Sequence, residues 1–276
     1  MPKTKDVFPM QEQAKTLLRS VLLLYLFTFF PFQFFHLSSL QPFVAHAQIG
    51  DHRSDFSLGI NGGCVLSNVG FSPKVTQGMH TGVTGGISFR YVCEKYFNTI
   101  CSVYGEVNYA ETGWKEDIVD INDQPVLNTS TGVPEEYSRT MKYIQIPILA
   151  HLAWGREDNG LQFYVNLGPQ FGYYLSESTA TNFTTDNMNL GDRANKQTAQ
   201  YAMSVENKFD YGIAVGGGFE LSLRHVGHFL IDGRYYYGLG NIYGDSKRDY
   251  FAKSNLGNVT VKVAYLFDIL KYKGNR

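Results

Sequence analysis

Between residues 142 and 175 apolar and polar side chains alternate with a period of two, interrupted once by six turn-forming residues. In KYIQIPILAHLAW, Ile144, Ile146, Ile148, Ala150, Leu152 and Trp154 fall on one parity. After GREDNG, Leu161, Phe163, Val165, Leu167, Phe171, Tyr173 and Leu175 do the same. Both runs exceed the ~5–6 residues of an ordinary strand. They are long enough to cross a bilayer as tilted strands of roughly 9–11 residues. The pattern predicts a long β-hairpin with one apolar face and one mixed face.

The same alternation recurs at 54–68, 79–91, 102–114, 208–223, 229–243 and 258–270. With the hairpin at 142–154 and 161–175, that makes eight strands. Their connections alternate long and short, beginning and ending on long. Outer-membrane barrels combine an even strand number with short periplasmic turns and longer extracellular loops. In lipid every backbone group must be paired, so a sheet edge cannot stay open. The expected fold is all-β, an eight-stranded antiparallel transmembrane up-and-down β-barrel. A soluble lipocalin-like barrel is the competing shape, but it would bury its apolar parity inside and has no need of alternating loop lengths.

The N-terminus reads as a separate element. Lys3, Lys5, Lys15 and Arg19 precede the 15-residue apolar run 21–35, and Ala45-His46-Ala47 forms a small-x-small site. That order predicts a signal peptide over residues 1–47 and a barrel domain over 48–276. Met10 is an alternative start. The apolar run is shorter than the ~20 residues of a spanning helix, which argues against a retained anchor. A formal net charge of −1 leaves no nucleic-acid footprint.

Three cysteines occur: Cys64, Cys93 and Cys101. None has metal-ligand spacing, and no cofactor is expected. Cys93 and Cys101 stand equidistant from Phe97 on the outward parity. A cross-strand Cα separation of about 5.5 Å would suit a disulfide, and the periplasm is oxidising. The expectation is therefore a Cys93–Cys101 bridge, with Cys64 free and facing lipid.

Three segments, FSLGINGG, YIQIPILAHL and YYYGLGNIY, resemble the PorT-type outer-membrane β-barrel family of Bacteroidota. Ile144, Ile146, Pro147 and Leu149 match its strand-four core, although Gln145 stands where the family has an acidic residue. Gly238, Leu239, Asn241 and Ile242 match its strand-seven motif. The resemblance implies an eight-stranded outer-membrane barrel in a Gram-negative envelope. The namesake takes part in protein secretion, but no residue here is tied to that role.

Inward parity carries the candidate chemistry: Arg90, Glu106, His151, Asp210, Glu220, Asp232, Arg234 and Lys262. Pairing about CEKYFNTIC sets Arg90 opposite Tyr104 and diagonal to Glu106. Pairing about RHVGH brings Glu220 near Asp232 and Arg234. One reading is a polar conduit or small-ligand site. The other is a salt-bridged plug, because an eight-stranded barrel is just wide enough to be filled by its own side chains. Buried charges are tolerated when paired, so the plug is the expectation.

Catalysis has little support, and no enzyme is expected. No G-x-S-x-G or H-E-x-x-H occurs. At the outer rim Asp210, Ser176, Glu177 and Ser178 have His80 as their single histidine. The run 120–123 lacks the glycine of a calcium loop. Asn-x-Ser/Thr triplets begin at Asn128, Asn182 and Asn258, a frequency expected by chance. Trp114, Trp154, Tyr91, Tyr173, Tyr211 and Tyr235 read as interfacial belts in preference to glycan-stacking platforms.

The polar segments 115–139 and 176–207 exceed the usual ~12–15-residue loop limit. They are expected on the outside, meeting a protein or glycan partner, with a disordered surface shield as the alternative. The barrel wall meets outer-membrane lipid. The function expected is a non-enzymatic scaffold or binding protein. A component of an export machinery, or an outer-membrane enzyme acting on lipid or peptide, are the alternatives.

Overall fold

A computed structural model describes residues 51–157, 159–244 and 249–271. The expected signal peptide lies outside the described residues. Strands run β1 Asp51–Ser72, β2 Gln77–Gly78, β3 His80–Tyr96, β4 Thr99–Glu116, β5 Tyr137–Gly155, β6 Gly160–Thr181, β7 Phe209–Leu223, β8 Gly227–Gly238 and β9 Lys253–Leu270. One short helix, α1 Ala199–Ala202, lies between β6 and β7. The eight long strands hydrogen-bond in the order β4-β3-β1-β9-β8-β7-β6-β5, and β5 pairs with β4 to close the ring. Every pairing is antiparallel. The two-residue β2 rides on the upper end of β4.

Closure follows from the alternation. Ile60, Val83, Ile87, Val103, Ile148, Val165, Ile213, Ile231 and Val263 all stand exposed on the outside. Their sequence neighbours turn inward. An outside of this kind is stable in lipid, with the backbone satisfied around the ring. Gly105 shows how the wall is fitted. It pairs directly with Phe89, and a Cβ there would sit 2.2 Å from the Phe89 ring. The ring therefore covers the glycine on the outer surface.

Three tight turns, at 97–98, 156–159 and 224–226, define one end of the barrel. Phe97 and His225 adopt positive φ of 52° and 67° there. Longer connections at 73–79, 117–136, 182–208 and 239–252 define the other end. Several strands extend past the expected limits, with β1 reaching Ser72, β5 starting at Tyr137 and β6 reaching Thr181. These extensions lie above the apolar band, where outward residues such as Lys115 and Ser138 are polar. The strand expected over 229–243 stops at Gly238. Beyond it Ile242 and Tyr243 turn in and are buried.

Candidate functional site

The lumen is filled by two polar clusters that meet at His151, whose Nε2 makes no hydrogen bond. Arg90 Nη1 donates to both oxygens of Glu220, at 2.8 and 2.7 Å. His151 Nε2 lies 3.9 Å from Glu220, while its Nδ1 is 2.8 Å from Asn166 Oδ1. Asn166 Nδ2 donates to Asp232 at 3.1 Å. Asp232 pairs with Arg234 at 2.8 Å, and Arg234 pairs with Glu106 at 3.1 Å. Lys262 closes the series on Glu106. Seven of the eight inward residues read from the sequence are thus linked, and all seven are buried.

Asp210 stands apart. It is buried near the outer mouth and accepts from Tyr236 Oη at 2.6 Å. The register about the turns is as expected for Arg90 and Tyr104. The ion partners come from elsewhere in the ring. Arg90 reaches Glu220 on the far wall, and Glu106 takes Arg234 and Lys262. Glu220 faces Leu230 in the β7–β8 ladder, so Asp232 and Arg234 bind the other half of the network. A register between neighbours does not reveal contacts across the barrel.

Two ionisable members were not singled out in the sequence. His228 Nδ1 lies 2.7 Å from Glu220, and its Nε2 lies 3.1 Å from Asp268. Ser57 Oγ donates to Asp268 at 2.7 Å. His228 belongs to β8, not to the turn, and shares the parity of Asp232 and Arg234. Asp268 shares that of Lys262. Parity was the signal that would have found both.

The expected Cys93–Cys101 disulfide is absent: all three cysteines are free thiols. The turn is two residues long, so Glu94 faces Cys101. Cys93 sits in a bulge between Val92 and Glu94, displaced from the symmetric position. Trp114 is also corrected. It is fully buried on the inward parity and belongs to no membrane belt. Trp154 does face outward, stacked on Phe163 at 5.1 Å. Tyr91, Tyr173, Tyr211 and Tyr235 are exposed as a belt requires.

Above the lumen the long connections fold into a cap whose apolar core is continuous with the buried apolar residues of the barrel. Trp114, Phe71, Tyr243, Phe251, Tyr137, Phe183 and Tyr201 pack there, with ring separations such as 5.2 Å for Phe71–Trp114 and 4.5 Å for Tyr137–Tyr201. Arg193 donates to Glu135 at 2.6 and 3.0 Å and lies 4.8 Å over the Phe183 ring. Arg139 donates to the Met203 carbonyl at 2.5 Å and lies 5.3 Å over Trp114. The segments 117–136 and 182–208 meet directly, as at Ala194 N to Val119 O, 2.9 Å.

Glu116 is the hinge of this arrangement. Tyr201 Oη donates to it at 2.6 Å, Gln200 Nε2 at 2.9 Å and Trp114 Nε1 at 3.4 Å. The outward residues of β4 are apolar up to Tyr109 and then become Glu111 and Lys115, so Glu116 lies beyond the membrane. Burial pushes its carboxyl above the ordinary range, opposed by its three donors and by Arg193. A pocket of about 20 Å³ beside it, lined by Val75, Thr76, Asp117 and Arg193 among others, has room for about one water. Among the described residues no group of three His, Cys, Asp or Glu could hold a metal ion. His80 Nε2 lies 2.8 Å from Thr140 Oγ1 and meets neither Asp210 nor Ser176 in a hydrogen bond.

A closed eight-stranded ring, apolar outside with aromatic margins and charged inside, is an integral outer-membrane β-barrel. Residues 46–244 match the model of the family described as outer membrane protein beta-barrel domain, and the chain belongs to that family. The fold is similar to Ail, the attachment invasion locus protein of Yersinia pestis: 16% identity, 79% of this chain and 99% of that one, TM-score 0.32. It is also similar to OprG from Pseudomonas aeruginosa, at 15% identity over 79% and 98% with a TM-score of 0.36. Neisserial surface protein A gives 11% identity over 77% and 97%, with a TM-score of 0.33. No curated protein matches the chain.

Proposed function

We propose that this outer-membrane barrel is a non-enzymatic scaffold, exported through a cleaved signal peptide, whose folded extracellular cap binds a partner. One observation carries the reading. The lumen is consumed by a self-pairing network, while the long connections are built into an ordered platform. The aromatic core and the Arg193–Glu135 pair hold these connections in one shape. A shield that needs no shape needs no such core. The fixed surface of the cap supports binding of a protein or glycan more than passive covering.

The PorT-type assignment within the family rests on the strand-four and strand-seven motifs. In the second, Asn241 Oδ1 accepts from Ser254 N at 2.9 Å, and Ile242 N donates to Ser254 O at 2.8 Å. The motif thus folds the end of β8 under the cap. It supports a shared barrel-to-cap joint and carries no secretion chemistry.

Replacing 117–136 and 182–208 by tight turns tests the proposal. The barrel should remain heat-modifiable on a gel, and the phenotype of a full deletion should persist. Full complementation by the loop-less barrel would overturn the binding role.

A further inference from the structure

The segment 117–136 folds as a small three-stranded meander standing on the cap. Val119 bridges Pro125, and Leu127 bridges Pro134, both antiparallel. Bridge partners and i,i+2 neighbours share a face, so these four side chains form one surface. The opposite face, Ile118, Val126, Asn128 and Glu135, is buried against the cap. Leu127 is 50% exposed, and Ile121 and Val133 stand exposed in the two turns. Apolar residues thus occupy both faces of a sheet that has one side in water. A contiguous exposed apolar patch with a polar border marks an interaction site.

The meander is preorganised. Asp120 Oδ1 accepts from Asn122 N and Gln124 N, at 2.7 and 2.9 Å, fixing the first turn. Asn128 Oδ1 accepts from Ser130 N and Thr131 N, at 3.0 and 3.1 Å, fixing the second. Both backbone edges are occupied, by Ala194 N on Val119 O and by Asn182 Nδ2 on Pro134 O. Strand addition at an edge is therefore closed off, and a partner must use the face.

Charge selects the occupant. No Lys or Arg occurs between Lys115 and Arg139, a span that carries six carboxylates. Asp117 shares the parity of Val119, and Glu136 that of Pro134, so both border the apolar face. Asp123 stands exposed in the far turn. Lys115 lies 3.9 Å from Glu136 and neutralises one of them at most. An acidic border repels anionic lipid, acidic glycans and the same face of a second copy. It complements a basic one.

Resting on the binding role proposed above, we infer that this face docks a protein whose contact surface is an apolar centre ringed by Lys and Arg. The rigid turns lower the ordering cost of binding. Leu127 is the anchor, with Pro125 and Pro134 beside it on the same face, and the carboxylates set orientation and on-rate.

The test uses the full mature protein in nanodiscs of uncharged lipid, with a phage-displayed random peptide library as the probe. Enriched peptides should carry apolar residues flanked by Lys or Arg. Their affinity should fall about tenfold or more in Leu127→Ser, the scale of losing an anchor contact. It should fall again with rising salt and be unchanged in Ser204→Ala/Glu206→Ala, which alters exposed positions on the segment that runs into β7. Retained heat-modifiability and unchanged Trp114 fluorescence certify the variants as folded. Acidic peptides, or peptides lost in S204A/E206A and kept in L127S, would overturn this face while leaving cap binding standing. No enrichment at all would overturn both. Leu127-dependent binding of anionic phosphatidylglycerol vesicles would assign the face to a membrane and also overturn the inference.

Discussion

Arg90 on β3 and Glu220 on β7 meet across the full width of the lumen, with Nη1 2.8 and 2.7 Å from the two carboxylate oxygens. The two strands are four places apart around a ring of eight, whichever way they are counted. Arg234 on β8 and Glu106 on β4 are also four places apart. Two ion pairs thus tie opposite walls together at different depths. Removing one member of a buried pair leaves the other uncompensated, at a cost of about 3–5 kcal/mol. Arg90→Ala should lower the urea midpoint of unfolding accordingly. Replacing both residues with methionine should recover much of the loss. Equal loss in the single and double variants would show that the pair is not the staple.

The same network predicts a closed pore. Arg90, Glu106, His151, Glu220, Asp232, Arg234 and Lys262 are all buried in the lumen, and the cap lies over the mouth. Purified protein in planar bilayers should give no stable, large conductance. Truncating Glu106, Arg234 and Lys262 to alanine together should introduce small, unstable openings. Porin-like steps in the wild type would refute closure.

Glu116 gives the cap a pH dependence whose sign can be worked out. Its carboxyl is raised in the folded state by burial, so folding favours the protonated form. Its contribution is fully present below the ordinary carboxylate range and is lost as pH rises through the raised value. Asp120 acts oppositely: the Gln124 and Asn122 amides lower it, so its contribution is lost as pH falls. The chain has two tryptophans. In a Trp154→Phe background, Trp114 alone reports on the cap. Its burial should resist urea better under mildly acidic conditions than at neutral pH, and Glu116→Gln should flatten that difference. An unchanged pH slope in the glutamine variant would remove Glu116 as its source.

The barrel was legible because one physical requirement, lipid outside and side chains inside, is written into every second residue. The same parity named seven of the residues that join in the lumen, and would have named His228 and Asp268 had it been applied through the turn and to the chain end. Partners across the lumen were not legible, since Arg90 to Glu220 depends on stagger around the closed ring. The cap was hidden for a different reason. Tyr137, Phe183, Tyr201, Tyr243 and Phe251 are scattered singly through polar stretches, with no period to mark them as a core. The Cys93–Cys101 pairing failed on one residue of turn length, which a bulge then absorbed.

The cap and the barrel should open separately, and Arg193 is the place to show it. Its guanidinium is buried and donates to Glu135 at 2.6 and 3.0 Å and to Tyr201 Oη at 2.8 Å, while its plane covers Phe183. Every one of these partners belongs to the cap. Lysine cannot reproduce the fork or the stacking, so Arg193→Lys should be nearly as damaging as Arg193→Ala. Alanine strands Glu135 in a dry site, a cost of about 3–5 kcal/mol for a buried pair, and lysine keeps a charge there without the fork or the cover over Phe183. That cost falls on a local unit, because the β-ladders below it are untouched and proteins open in local cooperative units. Limited trypsin digestion should therefore cut within 182–208 much faster in the variant, at Lys196 or Lys208. The remaining barrel should still migrate as heat-modifiable. Global unfolding of Arg193→Lys at the urea concentration that opens its cap would mean that cap and barrel form one cooperative unit.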